Sequence, residues 1–393
     1  MSGPLAKLLL GAALLVAPAA LSASAAAAET RLPSTAVIAR DGMSADGNIL
    51  ATVDPQSTGV CWTARLYARS GGTWAGAAEG AGPARPPSGQ CSPVVAVLAA
   101  DGRTLAVHAV WDDIVYLLER DGARLAQATA ITLRGQRGPT FPPPTSSLAI
   151  SADGELLLVG AANFDCELAV PQDACGTALL YGRDAQGWSS LATFPRPDGA
   201  GIVQRFGEAI AMDAAGRTMA IGGTGLLGEP GHLFLYHAVE GAMEQVQELR
   251  PETKDSVFGT DLAMSADGEL LAVGGDQRVY LYARDGQRWL APVVVTESAP
   301  RVGTFGGAVA LSGDGRWLLV GAPRSNCENG PPRCGMAFRY LVNRSGKSVT
   351  TGAPTPVEPD QPVPLSDFGW RIAPDRLGRL VAIQGRLAHV FGP

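Results

Sequence analysis

Short apolar runs, each cut off by a Gly-containing turn, recur along the chain from Val37 onward. The stretch from Phe258 to Val295 shows the unit clearly. One apolar run ends at Met264, turns on Asp267-Gly268 and resumes over Leu270–Val273; after a loop come Val279–Ala283, a second turn at Asp285-Gly286, and a last run over Trp289–Val295. Asp-Gly between strand-like runs marks a tight hairpin, because glycine takes the positive φ that the turn demands. The pattern predicts four consecutive antiparallel strands in one sheet. Runs such as Leu156–Val159 and Val94–Leu98 are apolar without alternation, so both faces of these strands are expected to be buried. A helix does not fit, since the Gly turns return too often for a helical segment to develop.

The unit repeats. Phe206, Phe258, Phe305 and Phe368 are each followed by Gly and each stand ten residues ahead of a turn glycine, at Gly216, Gly268, Gly315 and Gly378. Three further segments keep the turn without Phe-Gly, around Gly47, Gly102 and Gly154, making seven copies 47 to 63 residues apart. A period of this size signals a propeller or a solenoid. Flat sheets that are apolar on both sides point to an all-β, seven-bladed β-propeller of four-stranded antiparallel blades, each blade sandwiched between two others. In that arrangement the Phe plugs the seam between blades, its Gly allows close backbone approach, and Gly321-Ala322-Pro323 ends the second strand at the rim. The last copy stops at Phe391-Gly392-Pro393, straight after its third strand, while the segment Thr30–Ser34 reads like Gln247–Pro251, the outer-strand end of copy four. An unclosed ring would leave unpaired edges, so the N-terminal segment is expected to pair onto the last blade as its outer strand.

Phe305-Gly306 followed by Gly321-Ala322-Pro323, with Phe-Gly kept at Phe206, Phe258 and Phe368, resembles the FG-GAP repeat family, whose propeller occurs in integrin α subunits and in many bacterial exported proteins. The resemblance spans nearly the whole chain after its first 28 residues and implies the propeller fold. One departure matters. Family copies often hold calcium in the first hairpin turn through an Asp-x-Asp-x-Asp-Gly arrangement, whereas the turns here carry one Asp or none. One carboxylate replaces too little of the ion's hydration shell, so Asp46, Asp101, Asp153, Asp267 and Asp314 are expected to act as turn formers, with no metal and no cofactor.

Composition narrows the class. Lys7, an apolar stretch over Leu8–Leu21 and the small residues Ser22–Ala28 form a secretory signal peptide pattern, so the expected division is a signal peptide over 1–28 and a single propeller domain over 29–393. No later run is long and apolar enough to span a bilayer. The net charge of −6 and the lack of a basic stripe exclude a nucleic-acid partner. Six Cys in an exported chain suggest three disulfides: Cys166 with Cys175, Cys327 with Cys334, and Cys61 with Cys91. The short loops are each worth about 2.5 to 3 kcal/mol and the long one nearer 4 kcal/mol in the chain-entropy model. A secreted or periplasmic monomer is the expectation.

Candidate chemistry is thin. His108, His232, His237 and His389 are scattered over different copies, and the five-residue separation of His232 and His237 puts them on opposite faces of a strand. Serine-hydrolase elbows, His-Glu-x-x-His and phosphate loops are absent. Trp74, Trp188 and Trp289 recur at the fourth strand and read as packing residues. The long loops, over 163–176, 224–231 and 324–335, emerge on one face, and the disulfides staple two of them. Loops on a rigid scaffold commonly carry function, which makes Phe164, Asp165, Asp173, Arg324, Asn326 and Glu328, joined by Trp111, Asp112 and Asp113, the expected binding residues. The leading expectation is therefore a noncatalytic binding or adhesion module that contacts a protein or glycan. The rival is a secreted propeller hydrolase or lyase acting on a polysaccharide or lactone, which a pair of carboxylates inside the channel mouth would favour.

Overall fold

The computed structural model describes residues 29–32, 36–55, 57–133, 146–162, 176–197, 203–225, 229–297, 302–326, 331–359 and 362–392; the expected signal peptide lies outside them. Among these residues every regular element is a β-strand, and no helix is long and apolar enough to cross a membrane. Copies three and four each form a four-stranded antiparallel sheet in chain order, Ser146–Ile150 through Gly187–Pro195 and Val203–Met212 through Ala242–Leu249. Copies five and six form five-stranded sheets because the outer strand is split, into Arg288–Trp289 and Val293–Thr296 and into Ser348–Thr351 and Thr355–Val357. Pro292 and Pro354 stand in the two gaps, where a residue without an N–H cannot extend the ladder. Copies one to four have a bulge in the same place, at Leu66/Tyr67, Leu117/Leu118, Leu180/Tyr181 and Leu235/Tyr236.

The first two copies depart from the expectation of separate four-stranded sheets. Their eight strands, Val37–Met43 through Ala81 and Val94–Leu98 through Thr132, join into one closed sheet. Each half is an antiparallel meander like the others. The halves meet through single parallel pairs, Arg40↔Val97 at the inner strands and Glu79↔Arg124 at the outer ones.

Glu29–Arg31 pairs antiparallel with Ala388–Phe391 and forms the outer edge of the copy-seven sheet, as expected, although pairing starts one residue earlier than Thr30. Leu32 follows with its N–H on the carbonyl of Ala388 and is 2% exposed in the core shared with copy one.

Apolar side chains gather into seven clusters, each built from two neighbouring copies, including one from copies seven and one. Phe206, Phe258, Phe305 and Phe368 are each almost fully buried in such a seam, so the Phe does plug it. The glycines explain the rest of the motif. A Cβ on Gly321 would sit 1.9 Å from the carbonyl oxygen of Gly369 in the next copy, and Gly160, Gly222 and Gly274 face Gly207, Gly259 and Gly306 in the same way. Phe-Gly of one copy and the second-strand Gly of the preceding copy are two halves of one backbone contact.

At the opposite end each first hairpin turn is held by its own side chains. In copy three the Ser151 hydroxyl donates to Asp153 at 2.5 Å and accepts from the Leu156 N–H, while Asp153 accepts from the Glu155 N–H. The hydroxyl's hydrogen bond holds the Asp153 carboxyl below its usual range. Asp46, Asp101, Asp267 and Asp314 accept from the corresponding turn N–H groups, so all five are turn formers. Where the Asp is missing, in copies four and seven, Asp213 and Asp375 take over from the Ser position. These turns also bond to one another. N–H groups of Ala45, Asp101, Ala152, Ala214, Ala266, Asp314 and Arg376 donate in sequence to the carbonyls of Ala100, Ala152, Ala214, Ala266, Gly313, Arg376 and Ala45, a circle of hydrogen bonds 2.8 to 3.2 Å long.

Candidate active site

The first strands of all copies surround a central channel. At the end opposite the turn circle, the channel mouth is lined by Arg40, Val95, Ser147, Glu208, Asp261, Ala308 and Arg371, one from each copy. They share a place in the repeat. Six of them stand three residues before the last residue of their strand, and Glu208 stands four before Met212 because that strand is irregular between Gln204 and Ala209. Four of the seven are charged, at a position that the other copies fill with small or apolar residues.

Arg40 reaches across from copy one to copy five, where it pairs with Asp261 at 2.8 Å and donates to the Leu262 carbonyl. Asp261 also accepts from the N–H groups of Val309 at 2.7 Å and Leu262 at 3.1 Å, so its oxygens are well satisfied. Glu208 pairs with Arg205 at 3.1 Å; burial nevertheless pushes its carboxyl upward against the pull of Arg205 and Thr224. Two groups in the mouth differ. Asp41 faces the water of the channel and takes part in no ion pair or hydrogen bond among the described residues. The protein around it restricts its solvation and Asp261 adds negative charge, and together these outweigh Arg40 and raise its pKa. Its backbone has φ of 46°, a left-handed conformation that costs about 1 kcal/mol or more outside glycine and that gathers at functional sites. The guanidinium of Arg371 likewise makes no salt bridge among the described residues, although Asp261 acts on it from nearby, and it lies 5.2 Å from the Trp370 ring. Burial and the nearby Arg40 charge lower its pKa to about 10, so it stays cationic at neutral pH. Trp370 itself is 51% exposed and lines the same cavity of about 280 Å³. An unpaired carboxylate and an unpaired guanidinium in one polar pocket, beside an aromatic face, form a site able to activate a water and stabilise a developing negative charge.

The expected binding residues lie elsewhere. Arg324 and Asn326 are exposed on the loop of copy six, where the Asn326 side-chain oxygen accepts from the Arg333 N–H at 2.9 Å. Trp111, Asp112 and Asp113 occupy the loop of copy two, and none of these five lines the mouth. Phe164, Asp165, Asp173 and Glu328 fall outside the described residues. Cys61 and Cys91 form the expected bridge between copies one and two, with Cα atoms 5.3 Å apart. Cys334 is also disulfide-bonded, while Cys166, Cys175 and Cys327 lie outside the described residues. The histidines belong to seams rather than to the mouth. His232 is buried with its Nδ1 2.6 Å from Glu248, and His237 faces the other way, towards Thr218 and Arg284. His108 is buried and His389 packs on Phe368. Trp74, Trp188 and Trp289 pack into seam cores as expected.

No protein-family profile and no curated protein matches the sequence. Among solved structures, the chain is similar to the periplasmic gluconolactonase of Pseudomonas aeruginosa, with 19% identity, TM-score 0.53, and coverage of 84% of this chain and 86% of that one. It is similar to a proposed 6-phosphogluconolactonase of Bacteroides uniformis, with 14% identity, TM-score 0.56, and coverage of 86% and 89%. The Dos1 propeller is matched with 10% identity, TM-score 0.51, and coverage of 89% and 76%. At these identities the likeness establishes the β-propeller architecture. The expectation of a noncatalytic adhesion module is corrected by the two findings together. Carboxylates and arginines converge on the channel mouth, and the architecture is shared with the gluconolactonase and the proposed 6-phosphogluconolactonase.

Proposed function

We propose that the chain is an exported lactone hydrolase with its active site at the channel mouth. The seven seam cores and the circle of seven turn hydrogen bonds support reading residues 29–393 as one seven-bladed propeller, the closed sheet being two blades joined at their edges. The meeting of each Phe-Gly with a glycine of the preceding copy supports an FG-GAP type of repeat. The Cys61–Cys91 bridge and the N-terminal apolar stretch support export to the periplasm or beyond.

In this reading Asp41 takes a proton from a water molecule whose oxygen adds to the lactone carbonyl carbon, and the oxyanion that forms is stabilised by Arg371. Collapse of the tetrahedral intermediate breaks the ring C–O bond, and Asp41 returns its proton to the departing alkoxide, giving a hydroxy acid. The Arg40–Asp261 pair holds the base in place from the adjoining residue, and Trp370 offers a flat face for the ring. The observation that carries the proposal is that Asp41 and Arg371, neither in an ion pair among the described residues, line the same cavity. A pH-stat assay against five- and six-membered lactones tests it. Hydrolysis by the native protein, reduced about a hundredfold or more in Asp41→Asn, is the expected result. Absence of hydrolysis, or an Asp41→Asn variant as active as the native protein, removes the proposal.

A further inference from the structure

The seam between copies seven and one is built differently from its neighbours. In copies three to six, the sixth residue after the first turn glycine is Gly160, Gly222, Gly274 and Gly321, the glycines that meet Phe-Gly of the following copy. Copy seven has Gln384 at this position, and copy one, next around the ring, has Val37-Ile38 where Phe-Gly stands in copies four to seven. Glycine is missing from both halves of the contact, and a buried amide side chain stands there instead.

Gln384 is 2% exposed, and both ends of its amide are used. Its Oε1 accepts from the Ile38 N–H at 2.8 Å across the seam, while its Nε2 donates to the Gly385 carbonyl at 2.8 Å. Hydrogen bonds of this kind offset the desolvation of a buried amide. Its main-chain carbonyl accepts from the N–H groups of Gly369 at 2.9 Å and Trp370 at 3.2 Å, and its ladder partner is Arg371. One residue therefore ties the strand that carries Arg371 to the strand that carries Asp41.

The bond to Ile38 falls where the first strand of copy one loses register. From Ile38 to Met43 the chain takes five steps while the facing strand takes two, from Thr52 to Leu50. Asp41 lies within that excess, with its φ of 46°. A strained conformation persists when the surrounding structure fixes it. Gln384 fixes the start of the irregular segment through a buried backbone N–H that would be costly to leave unpaired, and the Arg40–Asp261 pair fixes the residue before Asp41.

We infer that Gln384 is a positioning residue, which through the Ile38 N–H holds the irregular segment in the register that keeps Asp41 left-handed and in the channel. Its part in catalysis rests on the lactone-hydrolase reading, while its hold on Asp41 stands on the seam alone.

Gln384→Leu, similar in size but without hydrogen-bonding groups, tests both. The Cα chemical shift of Asp41, assigned by its loss in Asp41→Asn, reports the backbone conformation and needs no turnover. In the variant it is expected to leave the left-handed range. On δ-valerolactone kcat should fall about a hundredfold, the effect of displacing a reacting group by about 1 Å, with KM nearly unchanged because Trp370 keeps its bond to the main chain of residue 384. Should this variant fail to fold, Gln384→Gly, which places there the residue of copies three to six, makes the same test. Should both fail, hydrogen exchange in the native protein decides: slow exchange at the Ile38 N–H supports the hold and fast exchange refutes it. A displaced Asp41 shift in a variant of a protein that hydrolyses no lactone would support the hold and remove the hydrolase reading. An Asp41 shift equal in native protein and variant, or an unchanged kcat where lactones are hydrolysed, overturns the inference.

Discussion

Gly321→Ala separates two reasons for which a propeller uses glycine. The backbone of Gly321 is not left-handed, so its only constraint is space: an added Cβ would lie 1.9 Å from the carbonyl oxygen of Gly369 and 3.0 Å from the carbon bearing it. The obstacle is backbone and cannot rotate away. Restoring even a 3.0 Å contact requires copies six and seven to part by about 1 Å along a seam that holds Leu319, Ala337, Phe368, Ile383 and Phe391, and a gap of that size forfeits a quarter to a half of each dispersion contact across it. We expect a loss of about 3 kcal/mol, the upper end for overpacking. Gly71 supplies the opposite case, since its φ is 57° and nothing lies within 4 Å of its added Cβ; Gly71→Ala should cost only the conformational penalty of about 1 to 2 kcal/mol. Urea unfolding of the three proteins, compared at constant m-value, provides the measurement. If Gly321→Ala costs no more than Gly71→Ala, the glycine-to-glycine contact does not hold the seam, and the account of the repeat motif fails with it.

Asp41→Asn, which the proposed mechanism expects to slow lactone hydrolysis, is also expected to stabilise the fold near neutral pH. The folded state raises the Asp41 pKa, so the contribution of this group to stability is fully present only below its unfolded pKa and is lost as pH rises through the folded one. The variant's advantage in thermal melts should therefore shrink as the pH falls towards the carboxylate range, and an advantage independent of pH would contradict the assignment. Removal of residues 29–32 strips the outer strand from copy seven and takes away Leu32, whose burial alone is worth about 2 kcal/mol; an unchanged melt would refute the closure. Cys61→Ser/Cys91→Ser opens a loop with a sequence separation of 30 and should cost about 3.5 kcal/mol, read as a lowered urea midpoint. A midpoint equal to the native one would mean that the bridge does not constrain the unfolded chain.

The repeat was legible because its physics is local. Asp-Gly turns, non-alternating apolar runs and the fixed spacing from Phe258 to Gly268 each reflect one sheet and its immediate neighbours, and seam plugging by Phe followed from them. The fusion of copies one and two into a closed sheet was not legible, since it depends on two single pairs, Arg40↔Val97 and Glu79↔Arg124, that no propensity encodes. The mouth was not legible for a different reason: loop length points to Arg324 and Asn326, whereas the mouth is lined from the short first strands. Had the copies been aligned on the last residue of the first strand, Arg40, Asp261 and Arg371 would have fallen in one column beside Val95 and Ala308. A charge where other copies place a methyl group is the mark that periodicity makes visible.

That column also shows why Asp41 is held in a strained conformation. In a regular strand, consecutive side chains point to opposite faces, so a strand that sends Arg40 across the channel would turn Asp41 into the wall. The first strand of copy one avoids this by losing register between Ile38 and Met43, and the irregular segment lets two successive charged residues both face the channel. The cost is a left-handed Asp41, and the Arg40–Asp261 pair fixes the neighbouring residue against the far wall. Copy one is also one of the copies without Phe-Gly, and the segment before its turn carries the Arg-Asp pair instead. A propeller needs only stacking from its blades, and a left-handed carboxylate beside a cross-channel ion pair adds nothing to stacking; the proposed lactone hydrolysis gives it a place as the base.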